Sequence, residues 1–378
     1  MIYLDNAAST KPADEVIASM QPFLQEAYGN PSAIYRIGRK SRDAIDHART
    51  QAARLIDAQP DEIYFTSGGT ESDNWALVAG LESQADKGNH IITTQIEHHA
   101  ILNTCKYLET TRGAHVTYID VHEDGIVDPN DIQKAITPQT VLISVMAANN
   151  EIGTIQPIRE IGQIAKQNNI LFHTDAVQAY GHVPLDVHTM NIDLLSASSH
   201  KLHGPKGAGI LYIKKGVKIP GFIHGGSQES QRRSGTENVA AIVGMGTAAE
   251  LALKAQSQND LFVRSMRDHM LNRILTEIPD AHLNGSRHHR LPNNINVSFD
   301  GIDVESLLIR LDLLGIAASS GAACTSGSLT PSHVLMALGL SPERSKNALR
   351  LTLSIYNTQE EINTVVDKLK LIVSELRK

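Results

Sequence analysis

Leu195-Ser196-Ala197-Ser198-Ser199-His200-Lys201-Leu202-His203-Gly204-Pro205-Lys206-Gly207 is the stretch on which the fold of this chain turns. The largely apolar segment Ile192 to Leu195 gives way to small hydroxyl residues, then a histidine, a lysine and a Gly-Pro turn. That order suits a buried strand ending at a cavity, where small side chains leave room and a turn closes the far side. A lysine in such a place is costly unless its ammonium is paired or the amine is covalently committed. Burial lowers a lysine's pKa and makes the amine available as a Schiff-base nucleophile. The plainer reading is a solvated lysine on a surface loop.

A partner upstream favours the first reading. His173-Thr174-Asp175-Ala176-Val177-Gln178 follows the apolar run at 169–172. A carboxylate at the carboxyl end of a buried strand can keep a pyridine nitrogen protonated through a charge-assisted hydrogen bond. Asp175 and Lys201 are 26 positions apart, room for one crossover and a neighbouring strand. Together they describe a pyridoxal 5'-phosphate (PLP) site, with Lys201 joining the cofactor's aldehyde, Asp175 under the ring nitrogen and Gln178 reaching the phenolic oxygen. Over nearly its whole length the chain resembles the class V aminotransferases, and among them the cysteine desulfurases. The resemblance implies a type I PLP-transferase fold of the aspartate aminotransferase kind: an α/β protein whose large domain holds a mostly parallel seven-stranded sheet, with a smaller α/β domain.

The pattern of the chain points to the same class. Apolar runs at 63–65, 91–93, 116–118, 141–143, 170–172, 194–195 and 210–212 alternate with helix-like spans. That alternation argues for a mostly parallel sheet covered by helices on both faces. Ligands of such sheets gather outside the carboxyl ends of the strands. A helix from Ala13 carries Val16, Met20, Phe23 and Leu24, and a second places Ile45, Ala52, Leu55 and Ile56 on one side. The other side of that second helix, Arg42, Asp43, Arg49 and Arg54, is expected to be solvated. From about residue 256 the texture changes to a long helix, alternating strands near 295–299 and 349–353, and a last helix opened by the capping box Thr358 and Glu361. The large PLP-binding domain is expected over 14–255. The small domain is expected over 1–13 and 256–378, with a mobile cysteine loop at about 319–330.

Thr66-Ser67-Gly68-Gly69-Thr70-Glu71 follows a strand and opens a helix, where glycines admit an anion and free N–H groups bind phosphate. Gly69 and Thr70 are expected to hold it, with Ser198 and His200 reaching it from the lysine segment. In Ile96-Glu97-His98-His99, an imidazole stacked on the pyridine ring would steady it and exchange protons, and the resemblance assigns that role to His98. Tandem histidines at a helix start otherwise serve as caps or surface residues. Asn150 can face both the cofactor oxygen and a substrate carboxylate, for which Arg350 is the fork-shaped partner. The alternative for Arg350 is a paired structural arginine. Arg232-Arg233-Ser234-Gly235-Thr236 resembles the family segment whose threonine, here Thr236, completes the phosphate cup of the other subunit, which implies a homodimer.

Ser319-Ser320-Gly321-Ala322-Ala323-Cys324-Thr325-Ser326-Gly327-Ser328 holds no bulky side chain, so Cys324 sits on a tether with little to pack. Cys105, inside a helix-like span, is expected to pack as a small apolar residue. By resemblance Cys324 is the persulfide carrier, and in passing a ligand to an iron–sulfur cluster, with no resident metal. The catalytic set is then Lys201, Cys324 and His98. The implied reaction converts L-cysteine to L-alanine and a persulfide that passes to a sulfur-acceptor protein, an iron–sulfur scaffold or a tRNA-thiolating enzyme. Other readings are a selenocysteine lyase, a class V aminotransferase and a non-catalytic PLP-fold regulatory subunit. Tyr35 stands where a histidine is common, Gly321-Ala322-Ala323 where a serine often sits in the middle, and a C-terminal extension that grips scaffolds is not expected after Lys378.

Composition sets the outer bounds. The 378 residues suffice for two domains, and 41% hydrophobic with 20% charged residues suits a folded globular chain. The net charge of −7 gives no footprint for direct nucleic-acid binding. No run approaches the ~18 apolar residues of a membrane span, and two cysteines suit a reducing, cytoplasmic setting.

Overall fold

The computed structural model describes residues 1–320 and 331–378; Cys324 therefore lies outside the described residues. In chain order the strands are β1 (Ile2–Tyr3), β2 (Ile63–Thr66), β3 (His90–Thr94), β4 (His115–Ile119), β5 (Thr140–Ser144), β6 (Leu171–Asp175), β7 (Leu194–Ser198), β8 (Gly209–Ile213), β9 (Ala281–Leu283), β10 (Asn294–Phe299), β11 (Ile316–Ala317) and β12 (Ala348–Thr352). β2 to β8 make one seven-stranded sheet in the order β2-β8-β7-β6-β5-β3-β4. β8 is antiparallel to both neighbours and the remaining pairings are parallel, as the alternating apolar runs require.

Successive side chains of a strand point to opposite faces, and here both faces are dry. Ile92, Ile143, Leu195, Ile210 and Tyr212 join one buried cluster. Their neighbours Ile91, Leu142, Leu194, Leu211 and Ile213 join another around Trp75. The short apolar runs are therefore continuous rather than alternating, the mark of a doubly covered sheet. A separate cluster serves the smaller lobe, where β10 pairs antiparallel with β12 and β9, and β1 pairs in parallel with β11. Leu4, Met266, Met270, Val297, Leu351 and Val365 belong to it. The last helix opens with both hydrogen bonds of the Thr358–Glu361 capping box in place.

The long helix begins earlier than the sequence pattern suggests, running unbroken over Val239–Glu277. Residues 255 and 256 lie mid-helix, between side chains that serve the sheet (Met245, Ala248) and side chains that serve the smaller lobe (Met266, Met270). Asn238 caps that start by accepting the Ala241 N–H at 3.3 Å, and Gly246 sets how closely the helix packs. A Cβ there would meet Ala48 Cα at 2.5 Å, so only glycine lets this helix lie against Arg36–Arg54.

One expectation is overturned. Arg49 is not on a solvated face; its side chain is only 15% exposed, and its guanidinium bonds both oxygens of Glu229, each at 2.7 Å. Glu229 also accepts the Phe65 N–H at 2.9 Å. Periodicity along one helix could not show a partner 180 positions away. Glu229, Ser230 and Gln231 all have left-handed φ (45°, 57° and 64°), a costly conformation for residues with a Cβ. The ion pair holds that turn in place. Glu229→Ala, which leaves Arg49 mostly buried without its counter-charge, should lower unfolding free energy by about 3–5 kcal/mol in a denaturant titration.

Candidate active site

The carboxyl ends of β2, β3, β5, β6 and β7 open on the same edge of the sheet, because the two antiparallel steps through β8 restore the direction of β2. β3 and β5 are neighbours although β4 lies on the far side of β3, which makes their junction a switch point where ligands bind in such sheets. A cavity of about 420 Å³ occupies this edge.

Lys201 enters it from the short turn Ser199–Lys201 that ends β7. Its Nζ donates to Ala7 O at 2.6 Å and Ala8 O at 2.8 Å, so the small-residue turn at 5–10 is folded onto the lysine. Asp175, the last residue of β6, is buried and accepts the Val177 N–H at 2.9 Å. Burial raises its carboxyl pKa, while His98, the Val177 N–H and Lys201 oppose that shift. Gln178 lines the same cavity and donates to Ala7 O at 3.0 Å.

Gly69 and Thr70 start the helix Gly69–Ser83 and line the cavity beside Ser198 and His200. The strand and the turn touch here: a Cβ on Gly209 would meet Gly68 Cα at 2.6 Å. Burial, reinforced by Lys201 and Lys206, pulls the His200 imidazole down to about 4, so the ring is neutral near pH 7. His98 is both a cap and a cavity residue. Its Nδ1 accepts the Ala100 N–H at 3.1 Å, which places the proton of the neutral ring on Nε2.

Asn150 and Arg350 also line the cavity. Arg350 is buried and donates to Asp5 Oδ1 at 2.8 Å and to Asn150 O at 3.1 Å, and its Nε has no hydrogen-bond partner among the described residues. The structural pairing is therefore present, in a side chain that also lines the cavity. Thr236 is not in this cavity. It lines a separate one of about 250 Å³ with Thr66, Ser67 and Arg233. Arg233 is held by Glu71 at 2.8 and 3.1 Å, and Arg232 lies over the Tyr64 ring at 5.0 Å, so neither is simply a solvated charge. Cys105 is fully buried, and burial, then Glu97 and Glu109, pushes its thiol up to about 12.

Asp73 is the residue that sequence reasoning missed. It is buried in the cavity wall, its Oδ1 has no hydrogen-bond partner among the described residues, and His173 Nε2 lies 3.8 Å away. Burial and then Asp175 push its carboxyl well above the usual range. Its signal was its spacing: three and four positions after Thr70 and Gly69, on the same helix face. Glu97, behind His98, is held protonated near pH 7, its pKa raised to about 8 chiefly by burial.

An amine, a buried carboxylate and a helix start with neutral imidazole and hydroxyl neighbours line one cavity. This donor set fits PLP: Lys201 for the aldehyde, Asp175 for the ring nitrogen, Gly69, Thr70, Ser198 and His200 for the phosphate. No helix among the described residues is long and apolar enough to cross a membrane.

Comparison with known proteins points the same way. Residues 2–365 match the family described as aminotransferase class-V. The chain is 53% identical to cysteine desulfurase IscS of Methanosarcina thermophila over 376 residues, covering 100% of this chain and 93% of that one. Among solved structures it superposes on a NifS-like protein with a TM-score of 0.93 at 38% identity, covering 99% and 100% of the two chains. It superposes on SspA in complex with cysteine with a TM-score of 0.83 at 37% identity, covering 95% and 100%.

Proposed function

The chain belongs to the aminotransferase class-V family and is a PLP-dependent cysteine desulfurase, and we propose that Lys201, Asp175, His98, Arg350 and Cys324 carry its reaction. The observation that supports this most is the meeting of Lys201, Asp175 and Arg350 in one cavity at the carboxyl edge of the sheet.

When bound, PLP supplies a cationic ring that takes up the electron pair released at the substrate's α-carbon. Asp175 keeps the ring nitrogen protonated. Arg350 and Asn150 hold the carboxylate of L-cysteine and so fix the α-carbon before the lysine. Lys201 would hold the cofactor's aldehyde and would also take the substrate's α-proton. His98, with its proton on Nε2, is the acid–base group for the sulfur. The Cys324 thiolate attacks that sulfur: the C–S bond breaks, an S–S bond forms, and protonation of the carbon skeleton yields L-alanine. The sulfur then passes to an acceptor protein for iron–sulfur assembly, the role suggested by the IscS name of the relatives. tRNA thiolation is the alternative destination.

We read 14–255 as the cofactor-binding domain and the rest as the domain that brings Arg350 and Cys324 to it, in a cytoplasmic homodimer. The separate cavity around Thr236 supports the dimer, since this threonine does not reach the Lys201 cavity of its own chain. Two measurements test the reading. Sedimentation should give twice the chain mass. After brief incubation with isotopically labelled cysteine, mass spectrometry should find one added sulfur on the peptide containing Cys324. Label on Cys105, or alanine formed with no sulfur on Cys324, sinks the transfer step.

Arg350→Gln tests the carboxylate site without removing a cofactor contact. It should raise KM for cysteine about 10²-fold with a smaller change in kcat, the pattern of lost ground-state binding. An unchanged KM would leave Arg350 the structural partner of Asp5 alone.

A further inference from the structure

A second cavity of about 420 Å³ lies between the lobes and shares no lining residue with the first. It starts one residue beyond Lys201: Leu202 and His182 line it, and His182 Nε2 donates to Lys201 O at 2.8 Å. Leu251, Ala255 and Val263 of the long helix form one wall, and Leu353 and Ile355 face them. Two buried polar atoms of its lining residues, Asn293 Oδ1 and Gln256 Nε2, have no hydrogen-bond partner among the described residues.

The charges in this cavity are one-sided. Asp14, Glu15 and Asp260 line it, and among the described residues no lysine or arginine does. Burial lowers the pKa of both histidines in the lining, His203 to about 4, so both are neutral near pH 7. Asp260 makes no hydrogen bond or ion pair among the described residues. Burial raises its carboxyl to about 6 against the opposing pull of Arg264. The Tyr356 ring also lines the cavity, but the Lys11 ammonium already lies over it at 5.6 Å from the centroid, so the ring's cation site is filled by the chain itself. Apolar walls and a half-buried carboxylate with no ion-pair partner among the described residues suit an organic cation with an apolar body.

We propose that this interlobe cavity binds a small organic ammonium ion, its charged head at Asp260 and its apolar body against Leu202, Leu251 and Ile355.

The probe is benzyltrimethylammonium, which has no N–H and cannot condense with the cofactor's aldehyde, with benzyl alcohol as the uncharged control. Calorimetry on the PLP-loaded protein should show one cation per chain and no saturable binding of the alcohol. The groups facing Asp260 are Arg264 on its own helix, Asp14, Glu15 and Lys11 from the N-terminal segment, and His182, His203 and Tyr356. Asp260 gains its charge as pH rises through about 6, so affinity should rise about fourfold from pH 5.5 to 7.5 by proton linkage. Asp260→Asn should abolish that rise. Ala255→Phe, or Ala252→Phe should the first fail to fold, fills the cavity and should remove binding while the cofactor's visible band stays unchanged. Absent saturable binding, a pH-independent affinity, binding that survives either filling variant, or a change in the cofactor band on adding the cation would each overturn the proposal.

Discussion

Lys201→Ala should lose the yellow band of lysine-bound PLP and should make no alanine from cysteine. The loss should exceed about 10⁴-fold, the upper end of what one positioned acid–base group supplies, because this amine is also the covalent anchor. Packing is not the reason to expect it. The side chain reaches across to the Ala7 and Ala8 carbonyls, and solvent can replace those two bonds in a cavity of this size. Lys201→Arg separates the roles: it keeps a cation for the carbonyls and removes the nucleophile. Absorption spectra and alanine formation for both variants decide the matter, and an active arginine variant would refute the assignment.

Asp175→Asn should retain PLP but lose about 10²–10³-fold in kcat, the usual consequence of removing one preorganised electrostatic partner. The argument rests on which carboxylate in this wall is charged. Asp73 and Asp175 are both buried and the Asp175 charge raises Asp73's proton affinity, so one negative charge is favoured over two. Asp175 has His98, the Val177 N–H and Lys201 to favour its charged form, whereas Asp73 has chiefly the Ser196 hydroxyl. The charge therefore belongs on Asp175, and environments that push two acids apart assign their roles. Asp73→Asn, which replaces a neutral group by a neutral group, should cost less than about tenfold on the same grounds. If the two asparagine variants rank in the opposite order, the pyridine nitrogen's partner has been misidentified.

Much of the site was legible because its residues lie where local pattern meets strand ends. Asp175 closes an apolar run, Lys201 follows another, and Gly69-Thr70 opens a helix after a third; each has a short-range signature. His98 shows the limit of that method: its cap bond to Ala100 was a local alternative, yet the same ring also lines the cavity. Asp73 was hidden inside a helix, where a carboxylate normally faces water and only packing shows that it does not.

The sequence by itself determined the seven strand segments, the sheet's covering on both faces, the amine and carboxylate that meet in one cavity and the capped final helix. All of these depend on neighbours within a few residues, through side-chain alternation, strand-end chemistry and capping. Tertiary structure alone decided that Arg350 faces Asp5 across 345 positions, that Arg49 pairs with Glu229, that Asp73 is buried near Asp175, and that another cavity, lined by acids, opens behind Lys201. Those outcomes depend on where desolvation falls and which charges meet across the fold, and no periodicity along one strand or helix carries that information.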